Sequence, residues 1–196
     1  YFTDRVKNET LRFLRDNLGR GKPVFSWSSP PACHGPNDPA PQYAGRFAGE
    51  AAPRTPNFNT GTAGKNTFNS PLYHPAMTAS GGIAYADITH RRRLEVLLSV
   101  DDLVEAVVGE LDAAGELENS VILYTSDHGY SLGELNLNWD KRNVYDFDTR
   151  IHFVATGPGI APGSTASFAA TNSDLAPTIL AMVGVYKRIH TYIHTH

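Results

Sequence analysis

Residues 119–129, "NSVILYTSDHG", decide the fold. The run 120–126, Ser-Val-Ile-Leu-Tyr-Thr-Ser, is apolar and rich in β-prone residues. It suits a central strand buried on both faces. It runs directly into Asp127, His128 and Gly129. In open α/β sheets, ligands sit beyond the carboxyl ends of the strands. A strand ending in Asp127-His128 therefore delivers one oxygen and one nitrogen ligand to that rim. Gly129 lets the chain turn sharply there. The same triplet also suits an ordinary strand-to-loop turn in which Asp127 is a local cap.

Outward from this strand the elements alternate. Residues 87–114 read as the best helix, with Leu97, Val100, Val104, Val107 and Leu111 at three- and four-residue steps and Gly115 as the stop. Residues 4–18 place Val6, Leu11, Leu14 and Leu18 at helical spacing, with Asp4 as N-cap and Gly19 as stop. Residues 22–29, "KPVFSWSS", read as a short strand built on Val24, Phe25 and Trp27. Residues 150–159 read as a further strand with a Gly-Pro-Gly turn. Residues 173–184 read as a helix capped by Ser173 or Asp174. This order predicts an α/β sandwich. Residues 31–85 form a long stretch rich in Pro, Gly, Asn and Ala. Its aromatic residues (Tyr43, Phe47, Phe58, Phe68, Tyr73) predict an ordered, substrate-facing loop.

Composition sets the outer bounds. The 196 residues suffice for one domain with a real core. Hydrophobic residues make up 41% and charged residues 19%, as in a soluble globular chain. A net charge of −3 argues against a nucleic-acid surface. No run approaches the roughly 18 apolar residues of a membrane span. The single cysteine, Cys33, excludes an internal disulfide. Asn8-Glu9-Thr10 is a glycosylation sequon with Asn8 as acceptor. The chain begins at Tyr1 with no basic-then-apolar leader, which is expected of a processed chain or a fragment. Residues 185–196 alternate His and Thr and read as a low-complexity tail.

Two further residues join the rim. Lys141 follows a loop of Gly, Leu, Asn and Trp, where a lysine is usually just solvated. Beside a ligand-bearing strand end it becomes a cation for an anionic group. His34 follows the first expected strand in "PPACHGPNDPAP". If that strand neighbours 121–125, His34 shares the rim with Asp127. Asp101-Asp102 lies on the polar side of the long helix and reads as structural. His90-Arg91-Arg92-Arg93 reads as a solvated face or partner surface.

The motifs "LYTSDHGYSLGE" (123–134), "DKRNVYDFDTRI" (140–151), "TGPGIAPGS" (156–164) and "NSDLAPTIL" (172–180) then occur in the order and spacing of the sulfatase family. The chain resembles in particular the branch with N-acetylglucosamine-6-sulfatase and the extracellular heparan endosulfatases, through "APQYAGRF", "LLSVDDLVEAVVGELDAAGELENS" and "YDFD". The likeness spans residues 1–184, a partial sulfatase catalytic domain, with 185–196 as a divergent tail.

The resemblance implies an alkaline-phosphatase-like α/β sandwich. Its central sheet is mixed and mainly parallel, flanked by helices, with N-terminal strands and the C-terminal subdomain missing here. It implies hydrolysis of sulfate monoesters, of aryl sulfate or glycosaminoglycan N-acetylglucosamine-6-sulfate type, with a calcium ion and a formylglycine nucleophile made from cysteine. It implies that Asp127 ligates calcium and that His128 occupies the next ligand position. Lys141 matches the sulfate-contacting lysine, and His34 the histidine that contacts sulfate and assists the leaving oxygen. It also implies a glycoprotein that is secreted or lysosomal, with a sulfated glycan or small sulfate ester as partner and an oligomeric state left open.

The pattern is broken in places. No Cys-x-Pro-x-Arg occurs, and Cys33 is followed by His-Gly-Pro-Asn, so it is not the nucleophile. The chain alone is therefore expected to be inactive and to bind calcium poorly. Lys65-Asn66-Thr67 stands where close relatives often read Lys-His-Trp, and His152 where a proline is usual. Two other readings remain: a phosphoester or phosphonate hydrolase of the same superfamily, and a non-catalytic truncated binding module.

Overall fold

The computed structural model describes residues 1–61 and 75–184. Phe68, Tyr73, Lys65-Asn66-Thr67 and the tail 185–196 lie outside the described residues.

Helix α1 spans Phe2–Asn17 and helix α2 spans Ala84–Ala113. Asp4 is not the N-cap of α1; the helix starts two residues earlier and Tyr1 holds that position without a side-chain cap. Asp4 instead sits in the first turn, where its charge complements the helix dipole, 3.8 Å from Lys7 Nζ. Leu18 leaves the helix, its N–H donating to the Leu14 carbonyl at 2.8 Å. The left-handed Gly19 (φ +71°) then turns the chain, as expected of a stop. Gly115 (φ +71°) does the same after α2.

The two helices pack together. Leu14 of α1 is buried, as are Val96, Val100, Leu103 and Leu111 of α2. This stripe is offset from the one the spacing predicts, since Val104 is 40% exposed while Leu103 is only 5% exposed. The 40–61 loop also lies along α2 and takes polar residues of that helix as partners. Buried Glu95 accepts the Gly45 N–H at 2.9 Å. Asp87 accepts the Ala52 N–H at 2.9 Å and the Arg54 guanidinium at 2.7 Å. Tyr43 donates to both Asp102 oxygens at 2.7 Å, which makes Asp102 structural. The described part of the long loop is thus ordered, through contacts with α2. The basic cluster is drawn in as well: Arg91 donates to the Glu50 carbonyl at 2.8 Å, and the Arg93 guanidinium lies 4.1 Å from the centre of the Tyr130 ring.

Strand β1 spans Ile122–Thr125 and strand β2 spans Phe153–Thr156. They pair antiparallel, with Ile122 opposite Thr156 and Thr125 opposite Phe153. Among the described residues this is the one named ladder, so the expected mainly parallel pairing is not what joins these two strands. Nor is β1 buried on both faces: Tyr124 is 43% exposed, and Phe153 and Val154 of β2 are 54% and 59% exposed. Residues 22–29 are not a strand here. Their propensity suits a strand, but a strand needs a ladder partner, and none of the described residues bonds to their backbone. Phe25 (58% exposed) and Trp27 (63%) project beside α1 and line a cavity of about 530 Å³ with Phe2 and Phe13.

Helix α3 is a single turn, Asp146–Thr149, and helix α4 spans Leu175–Met182. Asp174 holds the N-cap position of α4 and also accepts the Thr171 N–H at 2.7 Å. A small buried cluster of Ala52, Ala86 and Leu132, with Phe58 and Tyr130 against it, joins the loop, α2 and the segment after β1.

Candidate functional site

The site grows from the carboxyl end of β1. Thr125 closes the strand by donating its hydroxyl to the His152 carbonyl at 2.9 Å. Ser126 folds the tip back, its hydroxyl donating to the His128 carbonyl at 2.9 Å. Asn172 spans the same turn, its amide donating to the carbonyls of Ser126 and Asp127 at 3.2 and 3.3 Å. The Asp127 side chain consequently projects into solvent, 84% exposed. His128 is partly covered, with Nε2 3.3 Å from Asp127 Oδ2 and Nδ1 2.8 Å from the Gly129 carbonyl. A carboxylate and an imidazole are therefore adjacent at the strand tip.

The chain then runs against α3. Gly129 N–H donates to the Asp148 carbonyl and Tyr130 N–H to the Phe147 carbonyl, both at 2.7 Å. A Cβ on Gly129 would collide with the Phe147 carbonyl, so glycine is required by close approach. Gly133 is similarly pressed onto the Phe58 ring. There the 57–59 segment meets 133–135 in a short antiparallel bridge, with Asn59 N–H donating to the Gly133 carbonyl at 2.8 Å.

Lys141 reaches the same region through the loop 137–143. Asp140, in the left-handed region (φ +95°), accepts the Lys141 N–H at 2.9 Å and pairs with Arg142 Nε at 2.8 Å. The Asp140 carbonyl accepts the Ser131 N–H at 2.7 Å. This bond sets the Lys141 segment beside the segment that follows His128. The Lys141 ammonium has no hydrogen bond or ion pair among the described residues. Such an unpartnered cation is able to take an anion.

Among the described residues no backbone bond joins the His34 segment to β1, so the neighbouring strand that would bring His34 to the rim is not observed. His34 is exposed, with Nδ1 2.9 Å from the Gly35 carbonyl. It makes no hydrogen bond or ion pair with Asp127, His128 or Lys141 among the described residues. Asn8 is exposed on α1, and Thr10 of its sequon hydrogen-bonds the Ser28 hydroxyl at 2.8 Å.

The donor set bears on a metal. Calcium takes six to eight oxygens. The strand tip supplies one exposed carboxylate beside an imidazole, and no group of three or more His, Cys, Asp or Glu gathers among the described residues. These residues alone do not make a calcium cage.

Sequence reasoning missed Asp148. Its carboxylate is buried (3% exposed) and lies between Ser131 and Asn143. The motif "YDFD" contains it, but only the fold reveals which of its acids turns inward.

The structure thus joins an α/β scaffold to a carboxylate–imidazole pair at a strand tip, with the Lys141 segment bonded nearby. The model of the sulfatase family matches residues 1–185. The chain belongs to the sulfatase family.

Its relatives narrow the comparison. The chain is 42% identical over 184 residues to N-acetylglucosamine-6-sulfatase of Bos taurus, covering 94% of this chain and 32% of that protein. The Homo sapiens protein of the same name is 41% identical, with 94% and 33% covered. An extracellular sulfatase homologue of Drosophila melanogaster is 37% identical, with 94% and 17% covered. A solved protein in complex with its substrate D-glucosamine-2-N,6-O-disulfate superposes with a TM-score of 0.75 at 24% identity, covering 97% of this chain and 50% of that one. This likeness establishes a shared α/β fold. The chain spans about a third of the length of its mammalian relatives.

Proposed function

We propose that this chain contributes part of the ester-binding rim of a calcium-dependent sulfatase acting on sulfated glucosamine residues. The observation that carries the reading is the adjacency at the end of β1: Asp127 and His128 at the tip, with the Lys141 segment bonded beside them through Ser131 and Asp140. The names of the mammalian relatives and the ligand of the solved neighbour support the substrate class.

Each residue has a distinct task in this reading. Lys141 would place its ammonium on a sulfuryl oxygen, where charge grows as the ester bond breaks. His34 would protonate the departing sugar oxygen. Asp127 would lend a hard oxygen to calcium, and His128 would contact the metal weakly or touch the nucleophile. When bound, calcium would neutralise charge on the sulfuryl oxygens. The remaining ligands and the formylglycine would come from sulfatase sequence of the kind the relatives carry beyond the matched third.

The same reading extends β1 and β2 into a mixed, mainly parallel sheet of alkaline-phosphatase-like form, for which the superposition is the support. It also makes the protein secreted or lysosomal and glycosylated at Asn8, in keeping with an extracellular relative.

The test is turnover of an aryl sulfate by this chain and by the full-length gene product, each with a Lys141→Ala control. The chain alone is expected to show no turnover above its control. The full-length product is expected to lose at least about 100-fold in kcat/KM on losing Lys141. A full-length Lys141→Ala protein with undiminished turnover would overturn the reading.

A further inference from the structure

We infer that Asp148 is the positioning residue of the rim, a buried clamp that fixes the Lys141 loop relative to the Asp127-His128 tip. The inference rests on the ester-binding reading of those three residues.

One carboxylate joins two segments. Asp148 Oδ1 accepts the Ser131 hydroxyl and Oδ2 accepts the Asn143 N–H, both at 2.7 Å. Ser131 lies three residues past His128, and Asn143 lies two past Lys141. The carbonyl of Asp148 holds a third point, accepting the Gly129 N–H at 2.7 Å. Ser131 is 0% exposed and Asp148 is 3% exposed, so water does not substitute for either partner.

Burying a carboxylate is costly unless its oxygens are satisfied. Charge-assisted hydrogen bonds are the strong kind. A hydrophobic residue here would pack, but it would leave the Asn143 N–H without an acceptor. The buried acid therefore does what packing does not: it dictates the spacing between two loops that carry opposite ends of the site. Asp148 touches no ester in this account; it acts through Lys141 and His128. Misplacing such groups by about 1 Å is enough to cost a large factor in rate or affinity.

The experiment is a titration of the ¹⁵N-labelled chain with inorganic sulfate, followed at the Asp127, His128 and Lys141 amides. Wild type, Asp148→Asn and Ser131→Ala are compared. Asn keeps the shape but puts an amide donor against one of two donors. Amide exchange in α1 and α2 reports the remote structure. The expected result is sulfate-dependent shifts at all three wild-type amides and a sulfate affinity about ten-fold weaker in Asp148→Asn. Ser131→Ala is expected to fall between, with exchange in α1 and α2 unchanged in both. Variants that bind sulfate as the wild type does would overturn the inference and leave the rim intact. A wild type whose three amides ignore sulfate would overturn the rim reading and the clamp with it. An Asp148→Asn chain that does not fold passes the decision to Ser131→Ala on the same two criteria.

Discussion

Gly129 is pinned to Asp148: its N–H donates to the Asp148 carbonyl at 2.7 Å while its α-carbon faces the Phe147 carbonyl with no room for a side chain. The colliding atom is backbone, which moves only if α3 moves. Gly129→Ala is therefore expected to destabilise the chain by about 2 kcal/mol. Urea denaturation measures this. An alanine variant as stable as the wild type would show that α3 shifts freely.

Adjacent residues on α2 give an internal contrast. Leu103 is 5% exposed and Val104 is 40% exposed. Leu103→Ala is expected to cost about 2–4 kcal/mol, and Val104→Ala no more than about 0.5 kcal/mol. Thermal denaturation of both variants checks which face is buried. Equal losses would contradict the observed stripe.

Asp87 confers an acid sensitivity on the 50–61 loop. Partial burial opposes its ionised form, but hydrogen bonds from Arg54 and the Ala52 N–H outweigh it and hold the carboxyl below its ordinary 3.8. Its stabilisation is thus complete above that value and is lost as pH falls through the lower folded value. Protection of the Ala52 amide against exchange is expected to collapse in that acid range. In Arg54→Ala the collapse should begin at higher pH. Loss of protection at neutral pH would refute the assignment.

On the proposed calcium reading, the two side chains of the strand tip contribute unequally. Calcium prefers hard oxygen donors, so the carboxylate matters more than the imidazole. In the full-length gene product Asp127→Ala is expected to weaken calcium binding at least about 100-fold, and His128→Ala less than about ten-fold. Calorimetric titration with calcium distinguishes them. The reverse order would make His128 the principal ligand.

Much of this was legible in the sequence because it is local. The helices expected at 4–18, 87–114 and 173–184 occur at Phe2–Asn17, Ala84–Ala113 and Leu175–Met182. The strands expected around Ile122 and Phe153 occur as well. Asp127 and His128 fall at the strand end because an apolar run can stop only where polar residues begin. What was not legible is non-local. Phe25 and Trp27 carry strand propensity, yet a strand exists only with a hydrogen-bonded neighbour. The buried stripe on α2 includes Glu95 because Gly45, 50 residues away, donates to it. Asp148 looks like its neighbour Asp146 in sequence, but Ser131 and Asn143 converge on Asp148.

The outward-facing apolar side chains of residues 22–29 and β2 also affect how the chain responds to denaturant. The slope of stability against urea and the heat-capacity change both scale with surface newly exposed on unfolding. Phe25, Trp27, Phe153 and Val154 are already more than half exposed in the folded chain, so each adds less than half of its surface to either quantity. The chain should therefore melt over a broad interval, with a shallow urea slope for its length. Any polypeptide that covered those four side chains would sharpen the transition as well as raise its midpoint.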